Sequence, residues 1–568
     1  MMNPKAYTDF LKGLQEKVKK AVEQAGIYVN PYEKARTAVF HIKSLIIVSL
    51  TYISSAIATY FLFGRIPEYF IALAATPLVI PPFIGVYLGT FDKVRERREK
   101  TEKELPFFTT LTAILARAGL TLYTALVKAS SRPDIFPWMS REAMNIRRDS
   151  EALGVGITDA MTSRAEKHPS QKFKTFMHTA TSIWRSGGDV AGTVEAFASQ
   201  HLKELSDKWE SYGRSVSGIA EMLTIIFILF PMSAGIIAVA FPAYSLTMVA
   251  LIGVALIPAI AVICYIMVRN ASPAIPDRYG IPSRIYLAFL PALIPIVPYV
   301  IQRMTPTLTT PIPMSALVGV ACVASSILLY SLARPMVEEV SESERALIQF
   351  VRDVTELRRV GYTIMQALEK CLNNPYPKKF SEILRKAVAR MNMGVSISDS
   401  VRDCRSWLLR VTFTLLEEAE ESGGGNPDLL EKIESLLRTH TYSKERSRSG
   451  VKLYIYLTMF IPFIISFSSA LMIALAGLMA PITGQGFGGI ALAFAKPEEM
   501  RSVMDMVMVT TLESTICMGL IIGRAADQHP YGTWRIALSS LTFIAAAVTL
   551  PQMENLVSGM FGLRSGAG

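Results

Sequence analysis

Charged side chains are scarce in this chain, and their scarcity excludes most classes of soluble protein. Of the 568 residues, 51% are hydrophobic and only 18% are charged, and the mean hydropathy is +0.33. An ordinary soluble domain carries about a quarter of its residues as charged side chains. The composition therefore indicates a membrane protein.

Residues that commonly carry chemistry are also few. The five cysteines have no metal-type spacing, so neither zinc nor a disulfide framework is predicted. The sequence lacks G-x-x-x-x-G-K-[ST] and H-E-x-x-H, and nothing pairs a serine or cysteine with a base in a recognisable signature. We therefore predict that the chain is not an enzyme and binds no cofactor or metal. The N-terminus also lacks the pattern of a removable signal peptide.

Nine apolar runs are long enough to cross a membrane, although the fifth is short and broken by proline. A cytosolic N-terminus places 53 of the 58 Lys and Arg residues on the cytosolic side, and an odd number of crossings places the C-terminus outside. The expected localisation is the cell membrane, with several passes. The nine runs are 44–63, 67–91, 219–241, 243–268, 285–301, 311–333, 451–480, 503–523 and 535–561.

The formal charge of +11 does not indicate a nucleic-acid partner. Segment 92–218 holds 20 basic and 16 acidic residues, and segment 334–452 holds 20 and 18, so both long loops are nearly balanced. Positive-inside anchoring accounts for the basic run Lys93, Arg95, Arg97, Arg98 and Lys100. Residues 3–27 form an amphipathic pattern, which predicts a helix on an anionic membrane surface, on a partner, or packed against segment 92–218.

The two long loops resemble one another at a separation of about 240 residues. Segments 117–128 and 359–370 are identical at six of twelve positions, and Glu195 and Glu431 follow in step behind a shared turn. The chain is therefore read as a tandem duplication. The other matching stretches are 154–159 with 394–399 and 186–189 with 422–425.

Each copy reads as helices separated by small residues that break them, with no convincing β-alternation. The fold class predicted is all-α, a polytopic membrane protein with two homologous cytosolic helical bundles whose last helices continue into the membrane. The expected domains are an N-terminal arm at 1–43, transmembrane helices 1–2 at 44–91, module 1 at 92–218, transmembrane helices 3–6 at 219–333, module 2 at 334–452 and transmembrane helices 7–9 at 453–568.

The glycine and threonine helix starts, the G-x-x-x-x-D starts, the Ser-Gly-Gly turns and the following spans with Pro231 or Pro462 resemble the type II secretion F-domain family. The count of spans looks most like its archaeal branch, which serves archaella and archaeal adhesive pili. The resemblance implies a non-enzymatic platform protein. Its partners would be a hexameric secretion ATPase and pilin or archaellin subunits.

The stretch 417–428 joins an acidic helix end to a glycine turn. Asn426 and Pro427 are typical of an N-cap and a first helical residue, so a helix is predicted to begin at Pro427. The acidic residues Glu417, Glu418, Glu420 and Glu421 have no acidic counterpart in the first copy. They are either a docking site for the ATPase or a solvated run of charge. The glycines assigned to module turns are Gly119, Gly187, Gly188, Gly361, Gly423, Gly424 and Gly425.

Three acids, Glu221, Asp505 and Glu513, fall within apolar spans, where an ionised group is costly. They predict a contact for a pilin helix or an ion path, or else an interhelical hydrogen bond or an interfacial position. Gly519 and Gly523 form a G-x-x-x-G pattern suited to close helix approach, which raises the option of a homodimer.

Two other functions compete with the platform. An ion-coupled secondary transporter would use the three intramembrane acids, yet transporter repeats lie within the membrane, whereas this repeat is strongest in the loops. A membrane-bound signalling receptor would need a catalytic output domain, which the sequence does not contain in recognisable form.

Overall fold

The computed structural model shows an all-α protein, as the sequence predicts. It describes Glu16 and Gln24 together with residues 76–240, 256–273, 277–282, 284–292, 294–295, 314–423, 426–479, 497–529 and 531–560. Within those residues there are 15 α-helices and no strand. The chain divides into two compact units, one of residues 1–201 with 418–424 and one of residues 202–417 with 425–568.

The described part of the first unit contains five complete helices and the start of a sixth, and neighbouring helices along the chain pack on one another. Their centre is Phe108, whose ring meets Phe136 and Phe176 edge to face at centroid distances of 6.4 and 6.2 Å. All three rings are almost fully buried. The helices are α1 Thr76–Arg117, α2 Leu122–Ser130, α3 Pro137–Glu151, α4 Ile157–Lys167, α5 Gln171–Ser186 and α6 Val190–Ala240.

The second copy repeats this plan within the second unit. Phe350 is its central ring, stacked on Phe413 at 5.7 Å and edge-on to Phe380 at 5.2 Å. Phe350 occupies the position of Phe108 in the repeat, so both bundles form around the same aromatic residue. The counterpart of α4 is reduced to a 3-10 turn at Asp399–Val401. The helices are α8 Met314–Arg359, α9 Ile364–Cys371, α10 Lys378–Asn392, α11 Trp407–Gly423 and α12 Pro427–Ser449.

The remaining helices are apolar. They are α7 Ile257–Ala271, α13 Lys452–Met479, α14 Pro497–Asp527 and α15 Trp534–Met560, with a 3-10 helix at Ile285–Ala292. Five helical segments among the described residues are long and apolar enough to cross a membrane: Val190–Ser233, Ala316–Arg359, Pro427–Met472, Val507–Asp527 and Trp534–Val557. The expected spans at 44–63, 67–91, 243–268 and 285–301 lie wholly or partly outside the described residues.

The start of α12 confirms the sequence prediction at the glycine turn. The helix begins at Pro427, and the side chain of Asn426 accepts a hydrogen bond from the backbone N–H of Asp428. The continuity predicted for the helices that leave the modules holds for α6, which runs unbroken through Pro231. In the second copy the helical segment Pro427–Met472 likewise runs from the module into an apolar span, with a two-residue turn at Gly450 and Val451 between α12 and α13.

Carboxylates from the long helices cap their neighbours in both copies. Glu104 on α1 accepts hydrogen bonds from the backbone N–H groups of Trp138 and Met139 at 3.0 and 2.8 Å, where α3 begins. Glu342 on α8 accepts one from Lys379 at 2.7 Å, where α10 begins. Neither helix has a side-chain cap of its own, so a residue distant in sequence satisfies its free N–H groups.

We expect the Glu104→Gln variant to flatten the pH dependence of unfolding. Burial raises the pKa of Glu104 to about 8, against the pull of the two backbone hydrogen bonds. A carboxyl with a raised folded pKa stabilises the fold below its unfolded pKa, and that stability is lost as the pH rises through about 8. Glutamine keeps one acceptor and no charge. The unfolding temperatures of the detergent-solubilised protein and of the variant, each measured at pH 5 and at pH 8, report this change. An equal difference between the two unfolding temperatures in both proteins would contradict the prediction.

Candidate functional site

The glycine turns take the same backbone conformation in both copies. Gly119 and Gly361 have φ of 80° and 101°, and Gly154 and Gly394 have φ of 67° and 87°. This left-handed region favours glycine because it has no Cβ. Gly187 is also left-handed, at 71°. Gly188 follows it, Gly423 lies in the last turn of α11, and Gly424 and Gly425 fall outside the described residues.

One ion pair recurs at equivalent positions. Arg117, at the end of α1, pairs with Glu195 near the start of α6, with Nη2 donating to Oε2 at 2.9 Å. Arg359, at the end of α8, pairs in the same way with Glu431 near the start of α12. Each pair ties the first glycine turn of a module to the helix that leaves it. The sequence places these residues in matching positions, but it does not show that they meet.

Apolar side chains flank the second glycine turn of each module and point into solvent. Leu153 and Val155 are 67% and 38% exposed around Gly154, and Met393 and Val395 are 83% and 39% exposed around Gly394. Large exposed apolar residues at equivalent places in both copies are candidates for partner contact. The sequence carries a signal for this feature, since both turns have the order apolar, glycine, apolar.

The acidic helix end is largely engaged within the protein. Glu417 and Glu418 are only 8% and 7% exposed, and Glu417 accepts a hydrogen bond from the backbone N–H of Ser398 at 2.7 Å. Within the first unit, the Nζ of Lys128 lies 2.5 Å from Glu418 and 2.7 Å from Glu421. Burial acts against the charge on Lys128, but its hydrogen bonds to both glutamates outweigh it and hold its pKa above the usual value. Glu420 is half-buried and Glu421 is exposed. ATPase docking by the acidic helix end stays a prediction. Of its four glutamates, only Glu420 and Glu421 are at least partly exposed to solvent.

The acids in the apolar spans do not gather at one site among the described residues. Glu221 is exposed on α6, and Glu513 is half-buried on α14. Asp505 also belongs to α14, but its side chain lies outside the described residues. Their predicted role as a pilin contact or an ion path stays a prediction.

The G-x-x-x-G pattern is used for packing inside the chain. A Cβ at Gly519 would come within 3.3 Å of the Cα of Ile536, and one at Gly523 within 3.0 Å of the carbonyl oxygen of Gly532. Both glycines therefore let α14 approach α15 and the turn before it closely. The face considered for a homodimer is already covered by the chain's own last helix.

A short loop at 277–280 binds the second module. The carboxylate of Asp277 accepts a hydrogen bond from the backbone N–H of Trp407 at 2.8 Å, at the start of α11. Arg278 donates its backbone N–H to the carbonyl of Arg405 at 3.1 Å and a side-chain N–H to the carbonyl of Arg402 at 3.0 Å. Burial, and then the neighbouring Glu344, raise the pKa of Asp277 to about 7.

The same loop also binds the turn between α14 and α15. The hydroxyl of Tyr531 donates to the carbonyl of Gly280 at 2.6 Å, and the ring of Tyr279 lies 5.8 Å from that of His529. These four hydrogen bonds and this ring contact thus fix residues 277–280 between an apolar helix pair and the second module. We call residues 277–280 the coupling loop.

Ion pairs link the helices around the coupling loop. The Nζ of Lys444 on α12 lies 2.7 and 3.0 Å from the carboxylate oxygens of Glu344 on α8. Arg448 on α12 and Arg535 on α15 both reach Asp527 at the end of α14, at 3.0 and 2.8 Å. These pairs surround a polar cavity of about 330 Å³. The arrangement joins α8, α12, α14 and α15 by charge rather than by apolar contact alone.

Comparison with known families shows what the two modules are similar to. The model of the Type II secretion system (T2SS), protein F family matches the chain twice, over residues 108–238 and 350–476. We call the two matched bundles the F-type modules. Each match runs from the aromatic core of a bundle through its glycine turns and into the apolar helix that follows. No curated protein and no solved structure matches the chain in the corresponding comparisons.

The F-type modules support the family resemblance drawn from the sequence. The matched ranges begin within the expected modules at 92–218 and 334–452 and end within the apolar spans at 219–241 and 451–480. Together with the five long apolar helices, they identify a multi-pass membrane protein that carries two F-type modules.

Proposed function

We propose that this chain is the cytoplasmic-membrane platform protein of an archaeal type IV pilus-like filament, either a pilus or an archaellum. The observation that carries the proposal is the occurrence, twice in one chain, of an F-type module followed directly by a long apolar helix. In this arrangement the N-terminus and both modules lie in the cytosol, and the C-terminus lies outside. The expected domain boundaries given above are part of the proposal.

The platform would hydrolyse no nucleotide itself. A hexameric secretion ATPase would act on the F-type modules, and the apolar helices would guide pilin or archaellin subunits into the filament. The coupling loop supports this division of roles between the cytosolic modules and the apolar helices. It fastens the second module to the apolar helices through the hydrogen bonds of Asp277 and Arg278. A movement of the second module would therefore be passed to the membrane.

The partner is tested by co-purification. We expect the detergent-solubilised full-length protein to retain the secretion ATPase encoded by the same organism, and we expect charge reversal of Glu420 and Glu421 to lysine to weaken that retention. Both carboxylates lie on the solvent-facing part of the acidic helix end. The amount of ATPase retained on an affinity column is measured for both proteins at several salt concentrations. Because salt screens exposed charges, retention that depends on these carboxylates should fall as the salt concentration rises.

Two controls separate docking from folding. Lys128→Ala removes the internal ion pairs with Glu418 and Glu421 but leaves the acidic surface in place. Glu382→Lys reverses a comparably exposed carboxylate on α10 of the same module. Glu382→Lys should leave the retained ATPase unchanged, and Lys128→Ala, which frees Glu421 from its ion pair, should retain at least as much ATPase as the unaltered protein. Equal retention by the Glu420 and Glu421 variant would remove the acidic helix end from the proposal, while a protein that retains no ATPase in any form would count against the platform itself.

A further inference from the structure

The polar cavity beside the coupling loop lies where apolar helices meet the second module. Its volume of about 330 Å³ is at the lower end of the roughly 300–1,000 Å³ that ligand pockets usually enclose. Helices α8, α12, α14 and α15 and the coupling loop all contribute side chains to its wall. We call it the interhelical cavity.

Gln528 brings a side-chain amide without a hydrogen bond to the wall of the interhelical cavity. Its Oε1 and Nε2 atoms are both shielded from solvent, and neither makes a hydrogen bond within the described part of the chain. A buried polar group without a partner is costly, so such groups usually meet a ligand, an ion or ordered water. The amide offers two donors and one acceptor. Groups of both kinds are therefore available to a bound molecule.

The backbone of Gln528 is unusual for a residue with a side chain. Its φ is 58°, and among the described residues it is the one non-glycine in the left-handed region. It directly follows the last residue of α14, and its N–H donates to the carbonyl of Arg524 at 3.0 Å. Glycine is the usual residue at such a helix end because it has no Cβ. The helix end does not need the glutamine side chain, whose amide instead faces the cavity wall.

The other unused groups of the interhelical cavity are mostly donors. Arg345 on α8 is exposed, and its guanidinium makes no hydrogen bond to the residues that the structure describes. Arg448 on α12 uses one of its five N–H groups, on Asp527 at 3.0 Å. Burial lowers the pKa of His529 to about 4, so its ring is neutral. Because the backbone N–H of Tyr531 donates to Nδ1 of that ring at 3.2 Å, its proton is on Nε2. A molecule rich in acceptor oxygens suits this set of donors.

The carboxylates of the interhelical cavity already have partners or lie in solvent. Glu344 is neutralised by Lys444, and Asp527 is met by two arginines. Glu445 is exposed, where water and salt screen its charge. The cavity can therefore accept an anion without leaving a buried carboxylate unpaired.

Aromatic side chains indicate that the interhelical cavity lies at the level of the membrane surface. Tyr330 falls in the last turn of the expected span 311–333, Trp534 stands one residue before the expected span 535–561, and both line the cavity. Tyrosine and tryptophan are enriched at membrane–water interfaces. Basic pockets between membrane helices on the cytoplasmic side bind the headgroups of anionic lipids. On the proposed topology, this end of the helices is the cytosolic one.

We propose that the interhelical cavity binds a phosphate group that carries hydroxyls, as in the glycerol phosphate headgroup of an anionic phospholipid. The phosphate oxygens accept hydrogen bonds from Arg345, Arg448 and His529, and a hydroxyl of the ligand donates to Oε1 of Gln528. The bound group would join α8, α12 and the end of α14 at the membrane surface. Binding does not depend on the proposed platform function, because it is measured on the purified protein alone.

Thermal unfolding of the full-length protein in a detergent without phosphate measures this binding, because a ligand of the folded state raises the unfolding temperature. The probes are glycerol phosphate, inorganic phosphate, and mixed micelles that contain phosphatidylglycerol. We expect the unfolding temperature to rise with the concentration of phosphatidylglycerol and of glycerol phosphate. Glycerol and diacylglycerol, which lack the phosphate, should leave it unchanged. Phosphatidylcholine, whose phosphate carries neither a hydroxyl nor a net negative charge in the headgroup, should have little effect.

The probes also distinguish the two sources of the phosphate. Stabilisation by phosphatidylglycerol at concentrations at which glycerol phosphate has no effect identifies a lipid as the ligand. Equal stabilisation by glycerol phosphate, or by inorganic phosphate, identifies a soluble phosphate. If none of the three phosphate probes stabilises the protein, or if phosphatidylcholine stabilises it as much as phosphatidylglycerol does, the proposal is overturned.

Two variants and a matched control assign the binding to the interhelical cavity. Gln528→Gly removes the amide and suits the left-handed backbone, so this variant should still fold. Arg345→Ala removes an exposed guanidinium. Each should weaken the apparent affinity for the phosphate probe by about tenfold, the usual effect of losing a hydrogen bond to a charged group. Arg352→Ala removes another exposed arginine about two turns further along α8, outside the cavity, and should bind as the unaltered protein does.

The comparison with Arg352→Ala decides whether the cavity is the site. If Gln528→Gly and Arg345→Ala bind the phosphate probe as tightly as Arg352→Ala does, the phosphate binds elsewhere and the assignment to this cavity is overturned. Failure of the platform function would appear instead as filaments on cells that lack the gene, and it would leave these unfolding temperatures unaffected.

Discussion

Replacing Glu142 with alanine is expected to destabilise the first module by about 3–5 kcal/mol, the usual cost of leaving a buried charge without its partner. Glu142 on α3 receives two hydrogen bonds from the guanidinium of Arg97 on α1, at 2.7 and 2.6 Å. Both side chains are at least 90% buried. The alanine variant would strand the cation of Arg97 in the core. Chemical denaturation of the purified protein, followed by tryptophan fluorescence, measures the change.

Two companion variants show whether burial of the ion pair causes the loss of stability expected for Glu142→Ala. Arg95 lies two residues before Arg97 and pairs with Glu99, but the side chains of this pair are 63% and 37% exposed, so Arg95→Ala is expected to change the stability by only about 0–1 kcal/mol. The double variant Arg97→Met with Glu142→Leu removes both charges and should recover most of the loss. A Glu142→Ala protein as stable as Arg95→Ala would show that this pair does not hold the module together.

The second large effect is functional. We expect simultaneous replacement of Asp277 and Arg278 by alanine to reduce filaments to background while the protein still accumulates in the membrane. The change removes the cap on α11 and the side-chain hydrogen bond to Arg402, so of the three hydrogen bonds from the coupling loop to the second module only the backbone one to Arg405 remains. Loss of one helix cap costs only about 0.5–2 kcal/mol, which leaves the fold intact. Electron microscopy of filaments, with an immunoblot of membranes, measures the result.

Arg284→Ala is the matched control for the coupling loop. Arg284 is an exposed arginine a few residues further along, and in the described structure only its backbone carbonyl makes a hydrogen bond, to Leu287. Its replacement removes the same charge as Arg278→Ala without touching the second module, so filaments should persist. Filaments in the Asp277 and Arg278 variant at the control level would mean that force reaches the membrane by another route.

Local signals in the sequence were sufficient for the elements and the repeat. Asn426 and Pro427 identify a helix start through their own backbone preferences, and Gly119, Gly154, Gly361 and Gly394 sit where the chain turns left-handed. Apolar length alone identified the five long helices that the structure describes. Such features depend on neighbours in the chain, so they can be read without the fold.

The burial of charged side chains could not be predicted from neighbouring residues in the sequence. Arg97 lies in a basic run that suggests anchoring at the membrane surface, yet it is paired with a residue 45 positions away. A third N–H of its guanidinium, on Nη1, donates to the carbonyl of Gln24, so this residue of the amphipathic N-terminal segment contacts the first module. Glu417 and Glu418 share the same difficulty, because their spacing defines a helix face but not what covers it.

The central claim is that the chain is required to build a filament although the filament's ATPase is a separate protein. The most direct measurement is a count of filaments on cells from which the gene has been deleted, with and without a plasmid copy, alongside the ATP hydrolysis rate of the purified secretion ATPase from the same cells. The platform account predicts bare cells, filaments restored by the plasmid, and an unchanged hydrolysis rate. Filaments at normal number on the deletion strain would contradict it.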